Sequence, residues 1–579
     1  MTYLETHVTD KALTFFLENQ NSLQDYLLIN SIIKSISGMS NFFETQEEAT
    51  ALLTEIRINQ SIVSEPDRRE YGDFQTNKTL ALRVSKYAFN KNPEIEFLLE
   101  PTCGKGNFLL ACISQFKNLK KVVGVEIYKP YVWETKFGIL THYLANPTDK
   151  KPEIDIIHAN AFEFDYALLA KSTLHLKTLV IGNPPWVTNS ELGSIDSNNL
   201  PNKSNFKKHK GLDAMTGKGN FDIGEYISFI LLKCFQRHNG IFAFLIKNSV
   251  VKNIIHDQKT NKFRIGNIEK LNIDSKKEFD ASVNACLFIS RLNYTPEFIS
   301  KEYDFYTDES LTTFGWYKDK FVYSVKDYDE SSILDGKSNF IWRSGVKHDC
   351  SKVMELDKKN GHFVNALGEE INLERELVYG LLKSSDLKGD KTNSFRKLTI
   401  ITQRKVGQET KYIKDDFPLI YDYLKSHKDF FDKRKSSIYQ DKPNFSIFGI
   451  GSYSFTPYKV AISGLYKSTH FTLVSPNDNK PVMLDDTCYF IGFDKLKMAE
   501  IAHYLLNSEL TQKFLKSIIF SDSKRSINKD TLMRIDFEKA FKTAEFENAK
   551  LTINNLETAD WKEFEEMLNK KVTEQMSLF

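Results

Sequence analysis

The fold of this chain is predicted by one segment, Phe97-Leu-Leu-Glu-Pro-Thr-Cys-Gly-Lys-Gly-Asn-Phe108. Its apolar start is typical of a buried strand, and the residues that follow predict a turn leading into a helix near Asn107. Gly104 and Gly106 let the backbone approach a ligand closely because neither carries a Cβ atom. The turn lacks the GxGxxG spacing and the GK[ST] ending, so it does not indicate a pyrophosphate or triphosphate site.

Short apolar runs continue around this segment between about residues 70 and 292. Amphipathic stretches separate them, which is the pattern of parallel strands connected by helices. The runs are EFLLEP, KVVGVEI, IDIIHAN, TLVIGNPP, GIFAFLIK and ACLFISRL. They predict an α/β sheet, and several of them end at Gly, Asn or Pro, where ligand-binding loops lie in such sheets.

Polar residues at two further strand ends indicate a nucleoside-containing ligand. Glu126 follows the glycines by about 20 residues, where an acidic side chain accepts hydrogen bonds from two ribose hydroxyls. Asn160 and Phe162 follow the next strand and can bind an adenine, one at its exocyclic amine and the other by stacking. The alternatives are a solvated glutamate for Glu126 and a turn-closing asparagine for Asn160.

The most specific string in the chain is Leu179-Val-Ile-Gly-Asn-Pro-Pro-Trp186. Two consecutive prolines restrict two φ angles and remove two backbone donors. The amide oxygen of Asn183 and the carbonyl of Pro184 are therefore predicted to converge on an NH2 group, with Trp186 as a stacking surface. The alternative is a rigid strand-exit loop with a buried tryptophan.

These motifs resemble those of S-adenosylmethionine-dependent amino-methyltransferases, in particular the DNA N6-adenine methyltransferases of type II restriction-modification systems. The family pattern is a D-P-x-C-G-x-G turn, an acidic end of the second strand and N-P-P-[YFW], in the order of the γ group. Here Glu100 stands in place of the aspartate, and Trp186 in place of the commoner tyrosine. The resemblance is specific over about residues 70–292.

The resemblance implies a Rossmann-like methyltransferase sheet in a catalytic domain (61–300). Apolar residues at three- and four-residue spacing predict an N-terminal helical segment (1–60). Short strand-like pieces rich in aromatic residues indicate a separate mixed α/β domain (301–579), which is expected to recognise the target and bind DNA. The resemblance also implies Thr76 as a cofactor contact, since Tyr71–Asn77 is similar to the family's G-x-F-x-T-P segment, although Asn77 replaces its proline. Phe279, in a segment similar to a late family motif, is implied to pack on the substrate base.

The resemblance implies three groups of site residues. The catalytic residues are Asn183, Pro184, Pro185 and Trp186. S-adenosylmethionine is bound by Thr76, Glu100, Pro101, Cys103, Gly104, Gly106, Glu126, Asn160, Phe162 and Asn183. The target base contacts Trp186 and Phe279.

The implied reaction transfers a methyl group to N6 of an adenine extruded from duplex DNA, with no metal and no covalent intermediate. Related enzymes act on cytosine N4, RNA or a protein glutamine, and these remain alternatives. A third hypothesis is a non-enzymatic DNA-binding protein with a decayed methylase domain. The intact motifs argue against it.

DNA binding must rest on local surfaces, because 78 basic and 76 acidic residues give a net charge of only +2. The predicted DNA-contacting residues are Lys207, Lys208, Arg404, Lys405, Lys433, Arg434, Lys524 and Arg525. For any one of them, a solvated face is the alternative. The six cysteines form no CxxC pair, so they indicate neither a zinc site nor disulfides.

The resemblance implies a cognate restriction endonuclease as genetic partner, whereas no nuclease cluster predicts cleavage by this chain. No apolar run approaches the ~18 residues of a membrane span, so we expect a cytoplasmic, nucleoid-associated bacterial protein without membrane contact. The final residues, Gln575-Met-Ser-Leu-Phe579, resemble peptides that bind the bacterial sliding clamp through a Leu-Phe pair, here Leu578 and Phe579. The alternative is that both side chains fold back onto the protein.

Overall fold

The computed structural model describes residues 10–58, 75–187, 222–466, 468–520 and 525–569. The chain forms two compact units, residues 1–321 and 322–579. A ten-stranded sheet is the centre of the first unit, and the second contains sheets of five and six strands. In the described ranges, no helix has both the length and the apolar composition needed to cross a membrane.

Strands and helices alternate along most of the first unit. The strands are β1 (Phe97–Glu100), β2 (Lys121–Glu126), β3 (Glu153–His158), β4 (Thr178–Gly182), β5 (Gly240–Lys247), β6 (Ile265–Ile273), β7 (Ala285–Leu292), β8 (Ile299–Asp304), β9 (Ser310–Tyr317) and β10 (Lys320–Val322). The helices are α1 (Asp10–Glu18), α2 (Tyr26–Ser37), α3 (Gln46–Ile58), α4 (Lys78–Lys91), α5 (Asn107–Gln115), α6 (Lys129–Ala145), α7 (Tyr166–Thr173), α8 (Ile223–Phe235), α9 (Asn248–Asn261) and α10 (Ser275–Phe279), with a 3-10 turn at Gln20–Gln24.

The order of the large sheet is β10-β9-β8-β6-β7-β5-β4-β1-β2-β3. Strands β3, β2, β1, β4 and β5 are mutually parallel, whereas β7 lies antiparallel between β5 and β6. All residues of β1 and β4 are buried, as expected for strands covered on both faces. This arrangement is a Rossmann-like methyltransferase sheet, and it confirms the predicted fold class.

Two details of the sheet differ from the prediction. The run ACLFISRL was predicted as a parallel strand, but Ala285 pairs with Lys247 and Ile273 in antiparallel register. The prediction was wrong because β7 is buried almost throughout, so its continuous apolar run looks like that of a parallel strand. Strand β6 was not predicted, since Ile265–Ile273 mixes apolar residues with Asn, Glu and Lys; among these, Lys270 is buried.

The N-terminal helices pack on α6 and belong to the first compact unit. The rings of Phe16 and Phe137 lie 5.9 Å apart, and those of Phe42 and Trp133 lie 5.8 Å apart. The buried Lys136 donates a hydrogen bond to the Phe42 carbonyl at 2.9 Å. The first compact unit reaches residue 321, because β8 pairs with β6 and β9 pairs with β8. The domain boundary at residue 300 stays a prediction.

The second unit is a mixed α/β structure, as predicted. Its strands are β11 (Arg343–Ser344), β12 (Glu355–Lys359), β13 (His362–Asn365), β14 (Glu370–Ile371), β15 (Val378–Leu382), β16 (Lys391–Thr392), β17 (Lys397–Ile400), β18 (Tyr458–Ser463), β19 (Thr472–Val474), β20 (Met483–Leu484) and β21 (Cys488–Phe493). They form the sheets β11-β21-β18-β19-β16 and β14-β13-β12-β17-β15-β20. The helices are α11 (Val325–Ser331), α12 (Ser351–Met354), α13 (Tyr412–Asp416), α14 (Pro418–Ser426), α15 (Lys428–Asp432), α16 (Leu496–Leu506), α17 (Glu509–Ile518), α18 (Lys529–Leu532), α19 (Phe537–Thr543), α20 (Phe546–Thr552) and α21 (Thr558–Asn569), with 3-10 turns at Ser332–Leu334, Ser384–Asp386, Ser437–Tyr439 and Ser452–Phe455.

Candidate active site

A cleft lies at the carboxyl edge of strands β1 to β4. It encloses about 830 Å³ of space, part of it open to solvent. Every predicted cofactor residue except Gly106 lines it. The lining consists of Gln75, Thr76, Glu100, Pro101, Thr102, Cys103, Gly104, Asn107, Phe108, Glu126, Ile127, Tyr128, Tyr131, Ala159, Asn160, Ala161, Phe162, Asn183, Pro185 and Ile227.

The turn after β1 depends on glycine for its backbone conformation. Gly104 and Gly106 have φ angles of +51° and +76°, in the left-handed region that side chains disfavour. Gly106 precedes α5, and a Cβ atom there would lie 2.7 Å from Cγ2 of Thr135. Gly106 therefore shapes the turn without lining the cleft, while Gly104 faces the space itself.

Glu126, at the end of β2, is held by backbone donors. Its Oε2 accepts the Gly104 N–H at 2.8 Å, and its Oε1 accepts the Tyr128 N–H at 2.8 Å. The side chain is 8% exposed. A carboxylate offers about four acceptor positions, so it can serve these donors and the hydroxyls of a ligand together. The glycine turn and the acidic strand end thus form one connected unit.

Glu100, at the end of β1, lies in a different electrostatic environment. It is 2% exposed, and burial together with the negative charge of Glu126 raises its pKa well above the ordinary value, although a hydrogen bond from the Leu109 backbone opposes this. Within the described residues, its Oε2 has no hydrogen-bond partner. A buried acceptor of this kind fits a donor group of a ligand in the cleft.

Asn160 and Phe162 lie in the turn after β3. The Asn160 amide oxygen accepts the Phe162 N–H at 2.9 Å, which is the turn-closing role that the sequence left as an alternative. The Phe162 ring packs edge-on against Tyr226 at 5.8 Å between centroids. Both residues also line the cleft, so turn closure and ligand contact are compatible for this pair.

Asn183, directly after β4, is oriented by a residue far away in the sequence. Its Nδ2 donates to Oγ1 of Thr76 at 3.2 Å, and this contact sets the direction of the amide group. The Thr76 carbonyl in turn accepts a hydrogen bond from Nδ2 of Asn107 at 2.9 Å. Thr76 therefore connects the start of α5, beside the glycine turn, to the amide of the Asn-Pro-Pro-Trp motif.

The start of α8 supports the two prolines. The Ile223 N–H donates to the Val187 carbonyl at 3.0 Å. A Cβ atom on Gly224 would lie 3.4 Å from Cγ of Pro184, so glycine allows the helix to approach the turn.

The side chain of Asp222 caps this helix. It accepts the Gly224 N–H at 2.9 Å and forms an ion pair with Lys247 at 2.8 Å. Burial raises the pKa of Asp222, and the charge of Lys247 opposes that rise. The cap joins the ends of two separate elements, α8 and β5, behind the proline turn.

Trp186 and Phe279, the predicted base-stacking residues, are in contact with each other. Their ring centroids lie 4.8 Å apart in an edge-to-face arrangement, and the side chains are 4% and 7% exposed. The Trp186 indole donates to the Leu245 carbonyl at 3.3 Å. Neither residue lines the cleft of this structure, so their contact with a base stays a prediction.

Several cleft residues were not predicted. Gln75 accepts the Lys105 N–H at 3.2 Å, and Tyr128 and Tyr131 follow Glu126 at the start of α6. The tyrosines could have been found from their positions just after the acidic strand end. Ile227 lies on α8, and nothing in its sequence surroundings connects it to the cleft.

The basic residues predicted to contact DNA differ in their surroundings. Arg434 donates to the carbonyls of Phe431 at 3.1 Å and Ser446 at 2.7 Å, and its guanidinium lies 3.7 Å from the centre of the Tyr439 ring. These bonds give Arg434 an internal structural role.

The other predicted DNA-contacting residues that the structure describes are exposed. Arg404 lies over the Phe455 ring at 4.8 Å, and Arg525 is 3.4 Å from Oδ2 of Asp486; Lys405 and Lys433 are also exposed. Lys207, Lys208, Lys524, Gln575, Leu578 and Phe579 lie outside the described residues. DNA contact by any of these residues stays a prediction.

A sheet with the parallel core β3-β2-β1-β4-β5 and the reversed strand β7 beside it, carrying a glycine turn and an Asn-Pro-Pro-Trp turn on one cleft, defines a Rossmann-like methyltransferase. The chain is 40% identical over 483 residues to the Type II methyltransferase M.NspV of Nostoc sp. (strain ATCC 29411 / PCC 7524). The match covers 82% of this chain and 98% of that protein. The chain therefore belongs to the type II restriction-modification methyltransferases. No family model matches it.

Solved structures are similar at lower identity. The type IIL restriction-modification enzyme MmeI in complex with DNA is 13% identical, with a TM-score of 0.49 over 99% of this chain and 91% of that chain. A type I restriction-modification methyltransferase subunit from Streptococcus thermophilus is also 13% identical, with a TM-score of 0.32 over 57% of this chain and 80% of that chain.

Proposed function

We propose that this protein is a site-specific DNA methyltransferase that methylates N6 of an adenine turned out of the duplex, with S-adenosylmethionine as donor. The observation that carries the proposal is the hydrogen bond by which Thr76 orients the Asn183 amide. It sets a predicted amine-binding group in the same cleft as Glu126 and the glycine turn. DNA as substrate is supported by membership of the type II family.

The cleft residues fit the proposed donor. Glu126 would accept hydrogen bonds from the ribose hydroxyls, and Asn160 with Phe162 would contact the adenine ring. Glu100 offers its buried Oε2, which suits a positively charged amino group because that contact would offset the cost of burying the carboxyl. When bound, S-adenosylmethionine supplies a methyl group activated by its sulfonium.

The motif after β4 acts on the nucleophile. The N6 lone pair of adenine is conjugated with the ring, so the planar amine is a weak nucleophile. Hydrogen bonds from its N–H groups to Asn183 Oδ1 and the Pro184 carbonyl favour the pyramidal nitrogen of the transition state. The two prolines limit backbone motion at this point, so both acceptors are arranged before the substrate binds.

The same acceptors suit any planar NH2 group, so the identity of the substrate needs a direct experiment. Purified protein is incubated with labelled S-adenosylmethionine and, in parallel reactions, with duplex DNA, RNA or protein. The DNA is then digested, and its nucleosides are analysed by mass spectrometry. We expect N6-methyladenine at one sequence, and none from Asn183→Ala. Label only in N4-methylcytosine, in RNA or in protein would overturn the proposal in favour of that substrate.

The second unit is proposed to recognise the DNA target. Arg404 supports this, because its guanidinium is held over Phe455 on an exposed loop. Arg404→Ala should weaken binding to the methylated sequence, whereas Arg434→Ala should mainly lower stability. Equal loss of DNA affinity in both variants without loss of stability would contradict this assignment.

Two partners complete the proposal. A restriction endonuclease recognising the same sequence would be the genetic partner, and both would act where the cell keeps its DNA.

The C-terminal peptide is proposed to bind the sliding clamp. Titration of a labelled peptide with clamp tests this; no binding at tens of micromolar clamp, or no change on replacing Leu578 and Phe579 by alanine, rejects it.

A further inference from the structure

Three metal-ligating side chains converge in the second unit, outside the methyltransferase cleft. They are Asp390 before β16, His470 before β19 and His503 on α16, and one ligand atom of each lies within 4.8 Å of the others. The His470 Nε2 is 3.0 Å from Oδ1 of Asp390. That distance is near the roughly 3.3 Å between two ligands of a tetrahedral zinc ion with bonds of about 2.0–2.1 Å.

The backbone holds Asp390 and His470 side by side. Strands β16 and β19 pair in parallel, and the Leu473 N–H donates to the Asp390 carbonyl at 2.7 Å. One residue earlier, the Thr472 hydroxyl donates to the Gly389 carbonyl at 2.7 Å. These bonds determine where both side chains leave the sheet.

Helix α16 is tied to the same two strands. Asn507, four residues after His503, accepts the Phe471 N–H through Oδ1 at 3.0 Å and donates from Nδ2 to the Phe471 carbonyl at 2.9 Å. An ion pair of 3.1 Å also joins Glu500 of the helix to Lys391 of β16. The three ligands are thus arranged by contacts other than their own, which reduces the entropy cost of binding.

The surroundings of His503 match those of a metal-binding histidine. Its Nε2 lies 3.0 Å from both the Phe471 carbonyl and Nδ2 of Asn507. With the proton on Nε2, the ring donates to that carbonyl and Nδ1 holds the lone pair; in the other tautomer, Nε2 accepts from Asn507. Metal-bound histidines commonly donate their second ring N–H to such a carbonyl.

We propose that Asp390, His470 and His503 bind one divalent transition-metal ion of the zinc class. Two imidazoles and one carboxylate suit Zn²⁺, Co²⁺ or Ni²⁺, whereas Mg²⁺ and Ca²⁺ prefer oxygen ligands alone. Three protein ligands leave a coordination position for water, and the half-exposed His470 and exposed Asp390 give the ion access from solvent. The ion would join β16, β19 and α16.

Zinc binding is measured on the full chain after removal of metals with a chelator. Isothermal titration with ZnCl2 should give one site, and calorimetric melting should show a Tm increase of roughly 2–4 °C or more with excess zinc. MgCl2 at the same concentration should produce neither effect. Absence of both zinc effects in the wild-type chain would overturn the proposal.

Substitutions test whether the three residues bind the ion. His470→Ala and His503→Ala should each weaken zinc binding by at least about tenfold. Asp390→Asn should do so as well, and it keeps the volume of an exposed side chain, so its folding is secure. Unchanged zinc affinity in Asp390→Asn, or in folded His470→Ala, would show that the ion binds elsewhere.

The chain offers a matched control. His427 pairs with Glu369 at 2.8 Å, and the described residues bring no third ligand to that pair. His427→Ala should therefore leave the zinc affinity unchanged. A loss in His427→Ala equal to the loss in His470→Ala would identify general surface binding and reject the site.

Discussion

Two turns leave the same edge of the large sheet, and they are built by opposite means. The turn after β1 uses Gly104 and Gly106 with positive φ angles, and its contact to Glu126 is made by a backbone N–H. The turn after β4 uses Pro184 and Pro185, and its functional group is an amide oriented by Thr76, 107 residues away in the sequence.

We expect the two turns to have different roles: the glycine turn binds a ligand, and the proline turn activates one. The glycine turn binds through backbone groups and the carboxylate of Glu126, so changes at this turn should alter affinity. The proline turn presents side-chain and carbonyl acceptors that stabilise a transition state only when correctly oriented. Changes at the proline turn should therefore alter the rate, and four variants test that contrast.

The largest effect is expected for Asn183→Ala. Loss of one acceptor aimed at the transition state should lower kcat by about 10²–10³-fold, by analogy with removing one oxyanion-hole donor. Cofactor affinity from calorimetry should change little. Single-turnover kinetics at saturating DNA and cofactor measure the rate; a variant with normal turnover, or one whose only defect is weak cofactor binding, would remove the contrast between the turns.

Glu126→Gln should show the complementary defect. Two charge-assisted bonds to ribose hydroxyls are weakened, so cofactor affinity should fall by about 1.5–3 kcal/mol, or roughly 10- to 150-fold in Kd. At saturating cofactor, kcat should be nearly unchanged. Glu153→Gln, an exposed residue at the other end of the neighbouring strand, is the control. Equal affinities of Glu126→Gln and wild type would contradict the ribose assignment.

Glu100→Gln tests the glycine turn through the pH dependence of folding stability. Burial raises the pKa of Glu100 above its ordinary value of 4.5. The protonated carboxyl therefore makes its full contribution to folding stability below about pH 4.5, and this contribution is lost as the pH rises through the pKa of the folded state. Each tenfold difference in proton affinity between the folded and unfolded states is worth about 1.4 kcal/mol.

Glutamine resembles the protonated carboxyl and does not titrate. Without cofactor, Glu100→Gln should therefore have a Tm near wild type at about pH 4 and a higher Tm than wild type at about pH 8. Scanning calorimetry measures both values. A Tm difference that is the same at the two pH values would show that Glu100 is not the titrating group.

The smallest effect is expected for Thr76→Val, which removes the acceptor that orients Asn183. One hydrogen bond contributes about 0.5–1.5 kcal/mol, so kcat should fall about two- to tenfold with little change in KM for DNA. Thr76→Ser should restore the rate because it keeps the hydroxyl. A rise in KM without a fall in kcat would mean that Thr76 does not act through Asn183.

Much of the fold could be predicted from local patterns. Apolar runs marked β1 to β5, and the glycines marked the turn before α5, because strand burial and positive φ leave direct traces in residue choice. The direction of β7 could not be predicted from its composition, since a buried strand looks the same in both directions. Strand β6 was missed because its buried Lys270 pairs with Glu302 at 3.0 Å, a contact that no local pattern reveals.

The sequence alone determined the chemistry available at each strand end: glycines for a close approach, an acid at Glu126 and two rigid prolines beside Asn183. These are local properties of the chain, set by backbone dihedral angles and side-chain type. Only the tertiary structure decided which distant groups act together. It brought Thr76 to Asn183, closed Trp186 against Phe279, and collected Asp390, His470 and His503 from separate elements. The physical reason is that such contacts depend on strand register and helix packing, which arise from burial over the whole unit.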